Sequence, residues 1–217
     1  MKRVAVIGAG GFAREVAWLI RDINAVTPTF DLVCHLVSDL DQASGPHTDG
    51  MVMHDFSWLE ENRSEVDGFV MGIGTPSTKH RLVTELKSRF PEKTWPNLIH
   101  PTVMFDVEST RFGVGVVLCA GSIATVNTSF DDFAMVNLKC TIGHEATIGA
   151  YAVLNPTVNI SGNVTVGERV LVGTGAQVLQ NLKIAGGATV GAGSVVTKDV
   201  PEGLTMAGIP AKPLHKS

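Results

Sequence analysis

From residue 112 onward every sixth position is apolar: Phe112, Leu118, Ala124, Phe130, Val136, Ile142 and so on without a break to Val196. Fifteen consecutive hexads obey the rule in a chain that is 44% hydrophobic, where chance gives such a run on the order of 10^-5 of the time. The position two before each of these is small or branched, from Thr110 and Val116 through to Ser194. The residue after it is often Gly or Asn, as at Gly113, Asn137, Gly143 and Gly149, types that tolerate positive φ at a corner. A period of six is neither helical nor that of a simple hairpin. It is the hexapeptide signature of a parallel β-helix, in which each hexad is one strand and one corner and three hexads make one coil of a prism. Positions 18 apart then stack along one edge, and the run amounts to about five coils.

Residues before about 97 follow another grammar. Val4-Ala-Val-Ile reads as a buried strand, the Gly8-Ala-Gly-Gly turn opens a helix over 13–23, and 31–37 reads as a second strand. Helical or loop sequence precedes a third strand at Gly68-Phe-Val-Met, and after the Gly72-Ile-Gly-Thr-Pro loop Ser77 is placed to cap a helix reaching Arg89. Strands alternating with helices imply a parallel sheet. The three prolines between 91 and 101 mark a linker. The expected organisation is a small Rossmann-like α/β domain over 1–97 followed by a β-helix over 98–217.

Composition narrows the function. The chain of 217 residues has 23 Gly, one Tyr and 6% aromatics, so small side chains fill a narrow interior. A net charge of -4 provides no basic face for nucleic acid. Cys34, Cys119 and Cys140 are odd in number and lack metal-binding spacing, so neither a disulfide nor a metal site is expected and a reducing cytoplasm fits. No window approaches the roughly 18 apolar residues of a membrane span, and the apolar run after Met1 is too short for a signal segment.

Several segments together resemble one family. They are Gly8-Ala-Gly-Gly-Phe-Ala-Arg-Glu, Asn97-Leu-Ile-His-Pro, Thr141-Ile-Gly-His-Glu-Ala-Thr-Ile-Gly, Val190-Gly-Ala-Gly-Ser-Val-Val-Thr-Lys-Asp-Val-Pro and Ala207-Gly-Ile-Pro-Ala-Lys. With the hexads they resemble the hexapeptide-repeat acyltransferases, in particular the sialic-acid O-acetyltransferase and bacillosamine-type N-acetyltransferase group. The resemblance implies a left-handed β-helix, a homotrimer with sites between neighbouring prisms, acetyl-CoA as acyl donor, and a histidine base that deprotonates a sugar amine or hydroxyl. It implies N-acetylation of a nucleotide-linked amino sugar for surface glycans, with O-acetylation of sialic acid or a related sugar as the alternative. A non-catalytic nucleotide-sugar sensor on the same scaffold is a third possibility.

His144 follows Gly143 at a corner and should point outward. Imidazole is the side chain suited to take a proton near neutral pH, and Glu145 is placed to orient it. In the edge column Val126, His144, Gly162, Gln180, Lys198, the glycine lies one coil from the histidine, where a missing side chain admits a ligand. A second column reads Ala120, Leu138, Pro156, Thr174, Ala192. The resemblance assigns acetyl-CoA contacts to Gly162, Thr174, Ala192 and Lys183. It assigns the nucleotide-linked sugar to Gly10, Gly11, Phe12, Ser38, Asp39 and Gly74. A glycine-rich turn before a helix suits phosphate. An NAD reading is disfavoured by an α/β part under 100 residues and by the lack of an acid about 20 residues after the glycine turn, at the second strand's end. Two positions depart from the family: Val153 stands where bacillosamine-type members often carry a second histidine, and Ser38 where they often carry an acid.

Overall fold

The computed structural model describes residues 1–40 and 50–214. The chain opens with β1 (Lys2–Ile7), α1 (Gly11–Val26), β2 (Phe30–Val37), β3 (Met53–Asp55), α2 (Phe56–Glu61), a single 3-10 turn, β4 (Gly68–Met71) and α3 (Pro76–Arg89). The four strands form a parallel sheet in the order β3-β2-β1-β4. β1 and β4 are buried almost throughout, as a sheet covered on both faces requires. β3 and α2 were not foreseen; a three-residue strand carries too short a pattern, and α2 is held by Asp55, whose carboxylate accepts from the Trp58 N–H at 2.8 Å. The start of α3 also differs from expectation. Pro76 takes the first helical turn and Thr75 the cap position, so Ser77 lies inside the helix and does not cap it.

From β5 (Leu98–Ile99) the backbone winds into a left-handed parallel β-helix. Two-residue strands run from β6 (Arg111–Phe112) to β20 (Val195–Val196), and each of the fifteen apolar hexad positions is the second residue of one of them. Every strand pairs with the one 18 residues away: Thr141 with Asn159, Thr147 with Thr165, Met135 with Val153. The prism therefore has three sheets. The first contains Val117, Met135, Val153, Leu171 and Thr189; the second Ile123, Thr141, Asn159, Gln177 and Val195; the third Arg111, Ser129, Thr147, Thr165 and Lys183. Those residues face outward, and the apolar position beside each faces the interior, where Ile142, Ile148, Leu154 and Val166 are buried. Phe105, Phe112 and Phe130 plug the first coil with edge and stacked contacts. β21 (Thr205–Ala207) and β22 (Lys212–Pro213) close the far end as an antiparallel pair.

The corners correct one expectation. Positive φ falls not on the residue just after the apolar one but two further on: Asn127, Glu145, Thr157, Asn163 and Asn181 all have φ between 55° and 63°. The glycines just after the apolar residue serve close approach instead. A methyl on Gly143 would lie 2.6 Å from the Gly162 nitrogen, and one on Gly173 would lie 2.5 Å from the Ala192 nitrogen. The coils stack too tightly there for a side chain.

The first sheet of the prism is the floor on which the α/β part sits. Val117, Cys119, Met135 and Val153 are buried in one cluster with Val16, Leu19 and Ile20 of α1 and with Val70 and Leu98. α3 covers the corner between the third and first sheets, where Phe133 stacks on Tyr151 and meets Trp95 edge-on. Lys79 of α3 is buried there, its Nζ 2.7 Å from the Phe133 carbonyl oxygen and 3.4 Å from that of Ala152. Burial pushes its ammonium down to about 7 from an ordinary 10.5. Below pH 7 folded and unfolded chains both hold this proton. Between about 7 and 10.5 only the unfolded chain does, so this lysine makes stability rise with pH by up to about 1.4 kcal/mol per pH unit. The melting temperature of the wild type relative to Lys79→Met should climb from pH 7 to pH 10; a flat difference would contradict the buried ammonium.

Candidate active site

His144 and Glu145 stand on the edge between the second and third sheets, both about half exposed. Glu145 Oε2 accepts a hydrogen bond from His144 Nδ1. That bond holds the Glu145 carboxyl below its usual range, with a weaker contribution from Asn127. With the Nδ1 proton committed to the carboxylate, Nε2 is the nitrogen left to accept a proton. Glu145 has φ 56°, while the same position is Asn127, Asn163 and Asn181 in the coils above and below. Asparagine tolerates this region and glutamate does so at a cost of roughly 1 kcal/mol. Phe133, Lys139, Tyr151 and Arg169 take the same conformation at other corners, so it is the hydrogen bond to His144 that distinguishes Glu145.

One coil down the same edge is Gly162. A methyl group built on it would overlap the His144 ring at Nε2 and Cε1. Its φ is not positive, so the backbone does not demand glycine. The missing side chain is what lets the imidazole lie along the edge with Nε2 turned toward the next coil. Lys183 follows on the third sheet, exposed, its backbone N–H bonded to Asp199 at 2.8 Å. Thr174 and Ala192 lie elsewhere, on the edge between the first and second sheets, in the column that begins with Ala120 and Leu138. Within one chain the second sheet separates these two groups. Its outward ladder Thr141, Asn159, Gln177 is joined by side-chain hydrogen bonds, including 3.0 Å from Asn159 to Gln177. Asn159 is thus engaged away from the histidine, and the Asn155 carbonyl accepts from Cys140 Sγ.

The α/β residues gather at a third place. The loops that follow β1, β2 and β4 leave the same ends of their strands, since Ile7 is level with Leu36 and Met71. This is the crevice at the carboxyl ends of a parallel sheet. It brings together Gly10, Gly11 and Phe12, the exposed Ser38 and Asp39, and Gly74. Gly8 and Gly72 have internal reasons to be glycine: φ is 109° at Gly8, and a methyl on Gly72 would lie 2.8 Å from Ala13. Gly10 and Gly11 have none, because nothing lies within 4 Å of a methyl on Gly10 and only the Arg14 side chain, at 3.8 Å, meets one on Gly11. The space they leave open adjoins the first turn of α1, which has no side-chain cap and directs N–H groups outward. His35, buried on β2, steadies this loop through Nδ1 and the Gly8 oxygen at 3.0 Å; desolvation lowers its pKa, so it serves as a neutral donor. Phe12, like Leu138 and Leu171 of the prism, packs against the buried cluster that joins the α/β part to the first sheet.

Two features were missed in the sequence. His100 bonds Asp22 of α1 through Nε2 at 3.1 Å and Thr102 through Nδ1 at 2.8 Å, tying α1 to the first coil. Beside it a small apolar cleft is lined by Trp18, Leu19, Cys119, Ala120 and Leu138. A histidine and an aspartate 78 positions apart carry no local signal of each other. Val153, the departure noted above, is wholly buried under the α/β part. Among the described residues no cluster of His, Cys, Asp and Glu side chains could hold a metal ion, and no helix is long and apolar enough to cross a membrane.

Comparison with known proteins places these features in context. Residues 3–86 match the model of the PglD N-terminal domain. A histidine-to-asparagine mutant of perosamine N-acetyltransferase from Caulobacter crescentus, solved with CoA and GDP-perosamine, superposes with a TM-score of 0.84 at 27% identity, over 100% of this chain and 98% of that one. The acetyltransferase domain of PglB from Neisseria gonorrhoeae FA1090 superposes at 0.84 with 28% identity, over 99% and 100%. It has also been solved with acetyl coenzyme A. WeeI from Acinetobacter baumannii AYE superposes at 0.83 with 27% identity, over 99% and 100%. No curated protein sequence matches the chain.

The edge geometry separates two glycine substitutions. Gly162→Ala should swing the His144 ring aside, read as loss of imidazole-to-residue-162 NOEs, with the melting temperature within about 3 °C of wild type. Gly143→Ala meets backbone and should lower the melting temperature by more than about 5 °C. A His144 ring unmoved by Gly162→Ala would contradict the arrangement described.

Proposed function

We propose that this chain, a hexapeptide-repeat sugar acetyltransferase with an N-terminal domain of the PglD type, moves the acetyl group of acetyl-CoA onto the amine of a nucleotide-linked amino sugar in glycan biosynthesis. Acetyl-CoA is the acyl donor. The observation that carries the catalytic assignment is the His144–Glu145 pair over Gly162, an oriented imidazole with one free nitrogen on an accessible edge. His144 Nε2 accepts the proton of the acceptor amine as that nitrogen bonds to the thioester carbonyl carbon. Glu145 balances the imidazolium that results, as a carboxylate does in other histidine-based sites. The carbon–sulfur bond breaks, and His144 returns the proton to the departing thiolate. No covalent acyl-enzyme is required: Cys34, Cys119 and Cys140 are all buried, and desolvation raises their thiols to about 11 or 12.

The remaining residues divide by location. Gly162 on one edge with Lys183 on the third sheet beside it, and Thr174 and Ala192 on the other edge, form the two walls of the acetyl-CoA groove. Gly10, Gly11 and Phe12 with Ser38, Asp39 and Gly74 hold the nucleotide-linked sugar. One chain cannot bring both walls together, since the second sheet of the prism lies between them. Assembly as a homotrimer, with the His144 edge of each copy against the Thr174 edge of the next, resolves this. Exposed Ile123 and Val126, just before His144 in the prism, and the apolar cleft around Trp18 at the level of Leu138 support that pairing. The work is cytoplasmic, where free thiols persist. The domains divide at residues 97 and 98, where the first coil strand begins.

The test is the His144→Ala variant with acetyl-CoA and a panel of UDP-, GDP- and dTDP-linked amino sugars. Loss of about 10^2 to 10^4 in kcat at preserved acetyl-CoA binding is expected. Activity within a few-fold of wild type would remove His144 from the role of base.

A further inference from the structure

We propose that Lys79 is a positioning residue for the acceptor: it bolts the loop 72–75 to the β-helix and so sets the height of the sugar-binding crevice above the prism. This rests on the reading of Gly74 as part of the acceptor site. Lys79 sits one turn into α3, directly after that loop, and its own N–H bonds the Thr75 carbonyl at 2.9 Å. Its side chain runs the other way, into the junction, and is 1% exposed. Nζ reaches the carbonyl oxygens of Phe133 and Ala152, which belong to successive coils. Among the described residues no carboxylate pairs with it.

The chemistry of the corner explains why a donor is needed. At other corners carbonyls are served from the prism itself, as where the Gly175 oxygen accepts from Gln177 Nε2 at 2.9 Å. At Phe133 the helix α3 and the rings of Trp95 and Tyr151 exclude water. A buried carbonyl left without a donor costs about 1–3 kcal/mol. The Ala152 oxygen already accepts from the Met135 N–H at 2.9 Å, so Lys79 principally serves Phe133. Yet a buried ammonium with no counter-ion is a costly way to do so, since desolvation opposes its charge. Ring contacts already dock the rest of α3: the His80 ring meets Tyr151 edge-on at 4.8 Å, and the Lys87 ammonium lies 4.8 Å above the Phe133 ring. Lys79 is the nearest of the three to the loop and the one that hydrogen-bonds the prism backbone, so it holds the start of the helix. Gly74 is close enough to the prism there that a methyl on it would touch Met135 Cε at 3.9 Å. A small slip at Lys79 is thereby passed to the crevice but not to the His144 edge, which lies at a different corner.

The full-length protein is compared as wild type, Lys79→Met and Lys79→Arg. In Lys79→Met, amide hydrogen exchange over 72–78 should quicken while that around 143–145 is unchanged. The KM for the amino-sugar nucleotide should rise about ten-fold, with kcat and the KM for acetyl-CoA within about two-fold. Lys79→Arg, which keeps N–H donors but cannot shed its proton as Lys79 does above about pH 7, should recover part of the lost affinity. Unchanged exchange over 72–78 in Lys79→Met, or an equal rise in both KM values, would overturn the inference. If Lys79→Met does not fold, the same readouts on Lys79→Arg decide: it must stay nearer wild type in acetyl-CoA KM than in acceptor KM, and equal effects overturn the inference. If wild type accepts no nucleotide-linked sugar, the acceptor reading itself fails, and amide exchange alone judges Lys79.

Discussion

The constraint on which everything else rests is the 18-residue coil. Parallel strands only two residues long bond to the strands above and below, so a position and its partner 18 residues on are forced into one column. The interior columns must be apolar and the corners must turn within four residues. At the corners this drives non-glycine residues into positive φ, and it presses glycines such as Gly143 against the next coil's backbone. The same stacking places His144 over Gly162. An imidazole proposed as a base on a rigid edge needs little further support than a carboxylate neighbour and an empty position below, and this edge provides both.

What covers the prism decides what is left for function. The α/β part buries the first sheet, α3 buries the corner at Phe133, and the third sheet presents polar and charged residues to solvent. The two remaining edges and the sheet between them carry the residues assigned to acyl transfer. Phe12 of the α/β crevice and Leu138 of one of these edges border the same buried cluster, and the histidine stands on the other edge. On the proposed reading a single chain holds two half-sites, and a symmetric neighbour would supply the missing half.

Much of this was legible in the sequence because a β-helix has one column per hexad position, so periodicity translates directly into place. The interior residues and the outward direction of His144 follow from counting. The corner glycines show the limit of that logic: their type signals a tight place, but only coordinates separate a demand for positive φ from a demand for close approach. Lys79 was invisible because a lysine on a helix of polar character reads as solvated, and nothing local announces the coil carbonyl it meets. The His100–Asp22 bond was hidden for the same reason, being made between segments that only the folded chain brings together. β3 and α2 escaped because neither is long enough for a period to show.

The claim that the two edges of neighbouring copies make one site is tested most directly by complementation. His144→Ala lacks the base, and Thr174→Arg fills the opposite wall, so each alone should be inactive. In a threefold ring every mixed trimer retains one intact edge pair, and random equimolar mixing should restore about a quarter of wild-type activity. Activity no greater than the sum of the two parents, in mixtures shown to contain mixed trimers, would contradict the shared site.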